Sequence, residues 1–349
     1  MKRLGPTLAC LLAAALFGLS TPAARVLLDT VSPLRLAGLL YLGAALATLP
    51  LAARRARAPK SPRRWDAKNL WRLGAMVMAG GVIGPVLLLF GLARAPAASV
   101  ALWLTLETVA TAIIAALFFR EHVSRRTWAS VALITIASVL LASPSGFSFG
   151  FGALLVSLAC IAWGADNALA SVIDGFTPAE STFAKGLVAG SVNLGLGLWL
   201  DSGPLSATAV LAGLAIGALS YGASLVLYVG AAQQLGATRS QMLFSTAPVG
   251  ALVVSWTWLG ESVLGAQLGA AALMAVALYL AHTQRHAHTH RHEPTTHVHG
   301  HRHDDGHHTH THPGLPPSTF HVHEHRHEEP IEHYHPHEPD LHHRHSHGS

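Results

Sequence analysis

Ten stretches of about 20 predominantly apolar residues, the length that crosses a bilayer's hydrocarbon core, follow one another along the chain. They fall at roughly 5–27, 33–53, 71–93, 98–119, 127–143, 150–171, 181–200, 207–232, 241–259 and 264–281. Most carry no charge at their centres. Period-two alternation is absent, so helices rather than barrel strands must satisfy the backbone in lipid. The expected fold is an all-α integral membrane protein with ten transmembrane helices, neighbours running antiparallel through short connections. Composition agrees, at 51% hydrophobic and 12% charged, against about 25% charged in an ordinary soluble domain. Lys2 and Arg3 precede the first run as they would in a signal peptide. Nine further spans favour an uncleaved first helix instead.

Charge divides the chain in two. Residues 1–281 hold 18 Lys+Arg against 9 Asp+Glu, a balance of +9. The last 68 residues hold 5 against 9, a balance of −4 with His neutral. The basic residues are concentrated in the second connection (Arg54, Arg55, Arg57, Lys60, Arg63, Arg64, Lys68, Arg72) and around Arg120, Arg125 and Arg126. The opposite side carries only Arg25, Arg35 and Arg94. This asymmetry reads as membrane orientation rather than nucleic-acid binding, and it puts the N-terminus in the cytoplasm. Ten spans return the C-terminus there. Cys10 and Cys160 lie inside apolar runs, so no disulfide framework is implied.

The body repeats itself. Phe17-Gly18, Asp29 and Pro33 recur as Trp163-Gly164, Asp174 and Pro178, offset by 145 to 146 residues. Phe119-Arg120-Glu121 recurs as Leu259-Gly260-Glu261, offset by 140. The halves are 1–143 and 144–281, with the tail at 282–349. Five helices per half make the second half enter from the opposite face, giving two inverted five-helix repeats. In secondary transporters of this plan the substrate site lies near the midplane between the halves.

On these residues, and on Leu104-Thr105-Leu106-Glu107-Thr108-Val109, residues 5–281 resemble the drug/metabolite transporter superfamily in its EamA-domain type. The resemblance implies ten helices, an inner-membrane location and export or exchange of small metabolites. It implies no particular substrate. Phe17 replaces the usual Trp, Pro22 follows shortly after, and Thr108 stands where Pro is common. The tail is not a family feature.

A charge at a helix centre costs roughly 2.5–3.5 kcal/mol on insertion scales, so the few that occur here should face a cavity or each other. Glu107 lies midway along the fourth run, Asp166 and Asn167 in the second half of the sixth, and Lys185 in the first turns of the seventh. They are candidates for the substrate or proton pathway, with Glu107 or Asp166 taking up H+. A structural ion pair of Lys185 with either carboxylate, or snorkelling of Lys185, is the other reading. Glu121 and Glu261, at helix ends, read as loop-orienting groups. Pro22, Pro85 and Pro248 each remove a backbone hydrogen bond within an apolar run. Glycine pairs four apart (80/84, 186/190, 213/217, 265/269) permit close helix packing, or a homodimer face on the tenth helix.

Of the 25 histidines, 24 lie from His282 onward, spaced two apart. Examples are His286, His288, His290 and His292; His297, His299, His301 and His303; and His321, His323, His325 and His327. Seven prolines and few aliphatic residues predict a disordered segment. Neutral imidazoles at this density suit Zn(II), Ni(II) or Co(II), as a reservoir, buffer or sensor rather than a fixed site. No cofactor is required otherwise. The absence of a Gly-x-x-x-x-Gly-Lys-Ser/Thr loop, an H-E-x-x-H pair or a G-x-S-x-G elbow argues against an ATPase or another enzyme. The expected function is a secondary transporter of small organic metabolites, proton-coupled, with a metal-binding tail. The alternatives are divalent-metal efflux fed by the tail, and a membrane-anchored metal buffer. The expected partners are the bilayer, a small-molecule substrate and a second copy of the chain.

Overall fold

The computed structural model describes residues 5–57, 66–95, 100, 103–119, 121, 123–142, 150–173, 176–247, 265–282, 286–292, 296–301, 321–326 and 331–337. The first half comprises α1 (Pro6–Gly18), α2 (Ser20–Leu27), α3 (Pro33–Arg57), α4 (Ala67–Met76), α5 (Gly84–Leu92), α6 (Leu106–Phe119) and α7 (Arg125–Ala142). The second comprises α8 (Phe151–Val172), α9 (Pro178–Leu200), α10 (Ala207–Ile216), α11 (Ser224–Leu235), α12 (Ala237–Phe244) and α13 (Gly265–His282). Local chemistry sets several starts. The Asp66 carboxylate accepts from Asn69 N at 2.7 Å to open α4. Thr177 and Glu180 form a reciprocal capping box with Pro178 in the first turn of α9.

Among the described residues, six helical stretches are long and apolar enough to cross a membrane: Pro6–Leu27, Pro33–Arg54, Ala67–Leu92, Phe151–Val172, Pro178–Leu200 and Ala207–Leu235. The other four expected runs carry α6, α7, α12 and α13. The fourth and ninth runs extend beyond the described residues, and six of the ten expected spans are found by length and apolarity. Many large side chains face outward, among them Leu117, Phe118, Leu200 and Leu211. Trp71 and Trp199, near span ends, are also exposed, as in an interfacial aromatic belt.

The packing follows an approximate twofold relation between the halves. α3 lies against α9, and α7 against α13. α1 packs on α11 as α8 packs on α5, and α12 on α1 as α6 on α8. Each middle span contains a π-helical stretch, Val77–Ile83 in one and Gly217–Ala223 in the other, offset by 217 − 77 = 140. In the first, Gly84 N–H reaches back five residues to Ala79 O. In that register Gly80 O would take the amide of residue 85, which is proline and has none. The freed carbonyl accepts from Tyr41 OH at 2.5 Å and Trp163 Nε1 at 3.0 Å, and Asn193 Nδ2 donates to Gly81 O at 3.0 Å. A break at Pro85 is thus tolerated because neighbouring helices satisfy the backbone.

Three of the four glycine pairs are used within the chain. A Cβ on Gly186 would lie 2.7 Å from Tyr41 O and 2.8 Å from Ala45 N. Gly190 meets Leu42, Gly217 meets the backbone of Leu40, and Gly80 meets Asp166. Among the described residues, nothing lies within 4 Å of a Cβ built on Gly265 or Gly269. Gly186→Ala is therefore expected to lower stability by about 1–3 kcal/mol through overpacking. Gly269→Ala should be neutral or slightly stabilising. Thermal unfolding of the two purified variants checks the contrast.

Arg35, in the first turn of α3, is buried. Its guanidinium donates to Gly197 O at 3.2 Å and Gly203 O at 2.7 Å, with Asp201 Oδ2 at 3.5 Å. It clasps the turn between α9 and α10. The Gly203 N–H holds the exposed Asp201 carboxyl below its ordinary range. That contribution is present above the unfolded-state pKa and is lost as pH falls through the folded one.

The tail also departs from expectation. Four strands, β1 (His286–His292), β2 (Thr296–His301), β3 (His321–Arg326) and β4 (Ile331–His337), form antiparallel pairs β1–β4 and β2–β3 where a disordered segment was expected. The physical reason is the spacing: every-second-residue His has the period of a strand. The register sets His286 opposite His337, His288 opposite His335 and His290 opposite His333. It likewise sets His297, His299 and His301 opposite His325, His323 and His321.

Candidate functional site

A cavity lies between the halves, lined by Glu107 of α6, Asp166 and Asn167 of α8, and aromatic side chains from both repeats. The empty space between them is about 370 Å³ including its mouth, of which about 30 Å³ is wide enough for the centre of a water molecule. By the latter measure it holds about two waters. This conformation is nearly closed.

Asp166 and Lys185 pair directly. Lys185 Nζ lies 2.6 Å from Asp166 Oδ1 and 2.5 Å from Oδ2. The residues are 6% and 3% exposed, so both charges are removed from solvent and each depends on the other. Only five residues separate α8 from α9, and positions 19 apart in sequence meet across the two helices.

Glu107, 7% exposed, is placed differently. It sits in the first turn of α6, and its Oε1 accepts from Asn167 Nδ2 at 2.7 Å. The same amide lies 3.1 Å from Gln241 Oε1 and 3.3 Å from Thr111 Oγ1, and Tyr228 OH donates to Gln241 Oε1 at 3.0 Å. Gln241 also hydrogen-bonds Glu107. Among the described residues, Glu107 is therefore met by neutral amides and by no cation. In the sequence, Asp166 and Lys185 alone could not be told from Glu107 and Lys185 as the pair.

Phe17 and Trp163 occupy matching places in α1 and α8, and both line the cavity. Their ring centroids are 6.3 Å apart, edge to face. Gly18 would clash with the Ala247 backbone if it carried a Cβ, and a Cβ on Gly164 would lie 2.9 Å from Ala110 Cβ and Thr111 N. The aromatic-glycine pair thus combines a ring in the cavity with close helix approach behind it. Tyr41, Tyr221, Leu225, Tyr228 and Phe244 complete the lining and were not singled out from sequence. Their signal was available: four of the five tyrosines, these three and Tyr279, fall within apolar runs, where a hydroxyl must find a partner.

The ionisable groups are not duplicated. At the repeat offsets, Ser20 stands for Asp166, Leu40 for Lys185 and Ala247 for Glu107. Glu121, between α6 and α7, lies outside the cavity. Its oxygens accept from Ala237 N and Thr238 N, both at 3.0 Å, capping α12 after Gly236, whose φ is +81°. Glu261, His303 and His327 lie outside the described residues.

An all-helical body that crosses the membrane several times, built from two related halves around a polar and aromatic cavity, defines a multi-pass transporter-like membrane protein. The EamA-like transporter family matches residues 5–143 and 150–283, and the chain belongs to that family. A solved structure, titled only as the crystal structure of a protein, is similar at a TM-score of 0.64 and 18% identity. The match covers 80% of this chain and 98% of that one, and it shows the shared fold. No curated protein matches.

Proposed function

We propose that the chain is a secondary transporter that exports or exchanges small organic metabolites, coupled to protons through Glu107. The observation that carries this is a buried carboxylate, held by neutral amides, on a nearly closed cavity between the two halves. A lone carboxylate at membrane depth takes up a cation or is neutralised by a proton. Asp166 and Lys185 complete the pathway as a charge pair that opens or stays shut with the cavity. Alternating access rocks one repeat against the other. In this reading the protein lies in the inner or plasma membrane with both termini cytoplasmic, an orientation that the arginine-rich connections support. A second copy is proposed to dock on α13, where no described residue covers Gly265 or Gly269.

The metal-efflux reading stands second. The in-register histidines of the tail favour metal capture, but the cavity lining offers only two carboxylates, one already held by Lys185. Proteoliposomes with an imposed pH gradient separate the readings. Benzyltrimethylammonium, L-leucine, benzoate, Ni(II), Co(II) and Zn(II) are added in turn. An organic solute is expected to dissipate the gradient. A response to metal alone would overturn the proposal in favour of metal efflux, and no response to any solute would overturn coupled transport altogether.

The tail is proposed to bind Zn(II), Ni(II) or Co(II) independently of transport. Equilibrium dialysis against Ni(II) should show several ions per full-length chain and none on a chain ending at Ala281. Equal binding by both would remove the metal from the tail.

A further inference from the structure

We propose that the transported solute is an organic monocation with an apolar or aromatic body, an inference that rests on the transport reading above. The charge count of the cavity comes first. Asp166 and Lys185 cancel, since the ammonium sits on both carboxylate oxygens. Glu107 remains, with one negative charge and only amides around it. Among the described residues, no Lys, Arg or His beyond the neutralised Lys185 is placed at the cavity to receive an anion.

Apart from Asn167 and Leu225 the remaining wall is aromatic: Phe17, Tyr41, Trp163, Tyr221, Tyr228 and Phe244. Neighbouring rings stand 4.9 to 6.3 Å apart between centroids. Their polar tips are already committed. Tyr41 OH and Trp163 Nε1 both donate to Gly80 O, and Tyr228 OH donates to Gln241. Tyr221 hydrogen-bonds Ser20. What the cavity has left to offer is ring surface and one carboxylate. Ring faces carry negative quadrupole potential and attract ammonium groups, most strongly where water is excluded. A sugar or an anion would find no spare donors. A bare divalent metal would find neither imidazole nor thiolate in the lining.

In the closed form the rings occupy one another's space. When the halves part, the cation replaces ring-ring contacts and settles beside Glu107. If Glu107 is protonated beforehand, its carboxyl proton leaves to water as the cation arrives, so one positive charge replaces another.

The test uses full-length protein in lipid nanodiscs and calorimetry with three probes of similar shape: benzyltrimethylammonium, benzyl alcohol and benzoate. The cation is expected to bind most tightly and to release protons on binding. Phe17→Leu keeps apolar volume but removes a ring, and should weaken the cation by roughly 2- to 30-fold while leaving benzyl alcohol unchanged. Binding of benzyl alcohol or benzoate as tight as the cation, in the unaltered protein, would overturn the proposal whatever the variant does. If L-leucine or benzoate dissipates the proteoliposome gradient while benzyltrimethylammonium neither binds nor moves, transport stands and the cation class falls. If nothing moves, both fall.

Discussion

Proteoliposomes carrying Glu107→Gln are expected to show solute-driven proton movement no faster than protein-free liposomes, while the variant should melt at the same temperature as the parent or higher. Both halves follow from the same geometry. Glutamine keeps the length of the side chain and can still accept from Asn167 Nδ2, so packing persists. It has no carboxyl proton to give up. It also relieves the cost of placing an uncompensated carboxylate in a site nearly closed to water. A purely structural Glu107 predicts the reverse, with flux retained and stability lowered by the loss of a charge-assisted hydrogen bond. Proton flux and thermal unfolding measured on one preparation therefore separate the two roles, and full coupled flux in the variant would end the proton-site assignment.

Lys185→Met is the second large effect. It leaves Asp166 buried with no counter-charge, and removal of one member of such a pair costs about 3–5 kcal/mol. The double variant Lys185→Met/Asp166→Asn should recover most of that loss, because no unpaired charge remains. Cys10 and Cys160 are both free and buried, so a thiol-reactive dye reports global unfolding without added labels. Equal destabilisation in the single and double variants would mean that the lysine stem, not its charge, matters at this position. Transport by the double variant then tells whether the pair serves only to neutralise itself.

Much of the plan was written in periodicity. Apolar runs locate the helices, and the recurring aromatic-glycine pair gives the two halves, because both are local or regularly spaced signals. Glu107, Asp166, Asn167 and Lys185 stand out since charge and amide are costly in an apolar run. Which carboxylate meets Lys185 depends on the turn after α8 and on helix rotation, neither of which spacing alone fixes. The aromatic wall was hidden because rings in apolar runs look like ordinary packing. Pro85 marked a weakened backbone, and the outcome was a π-helical stretch whose carbonyl is held from two other helices. Its counterpart at Gly217–Ala223 has no proline and left no comparable sign. In the tail, composition argued for disorder while the alternation of His argued for strands.

Of the two cavity carboxylates Asp166 is held by Lys185, so the proposed exchange runs through Glu107 alone, with Ala247 at the matching place in the other half, and this sets a thermodynamic ceiling on it. One titratable group exchanges one proton per turnover, and a proton traded for a monocation moves no net charge. Such an exchanger is blind to membrane voltage. Its gradient is bounded by the pH difference alone, at about tenfold accumulation per pH unit.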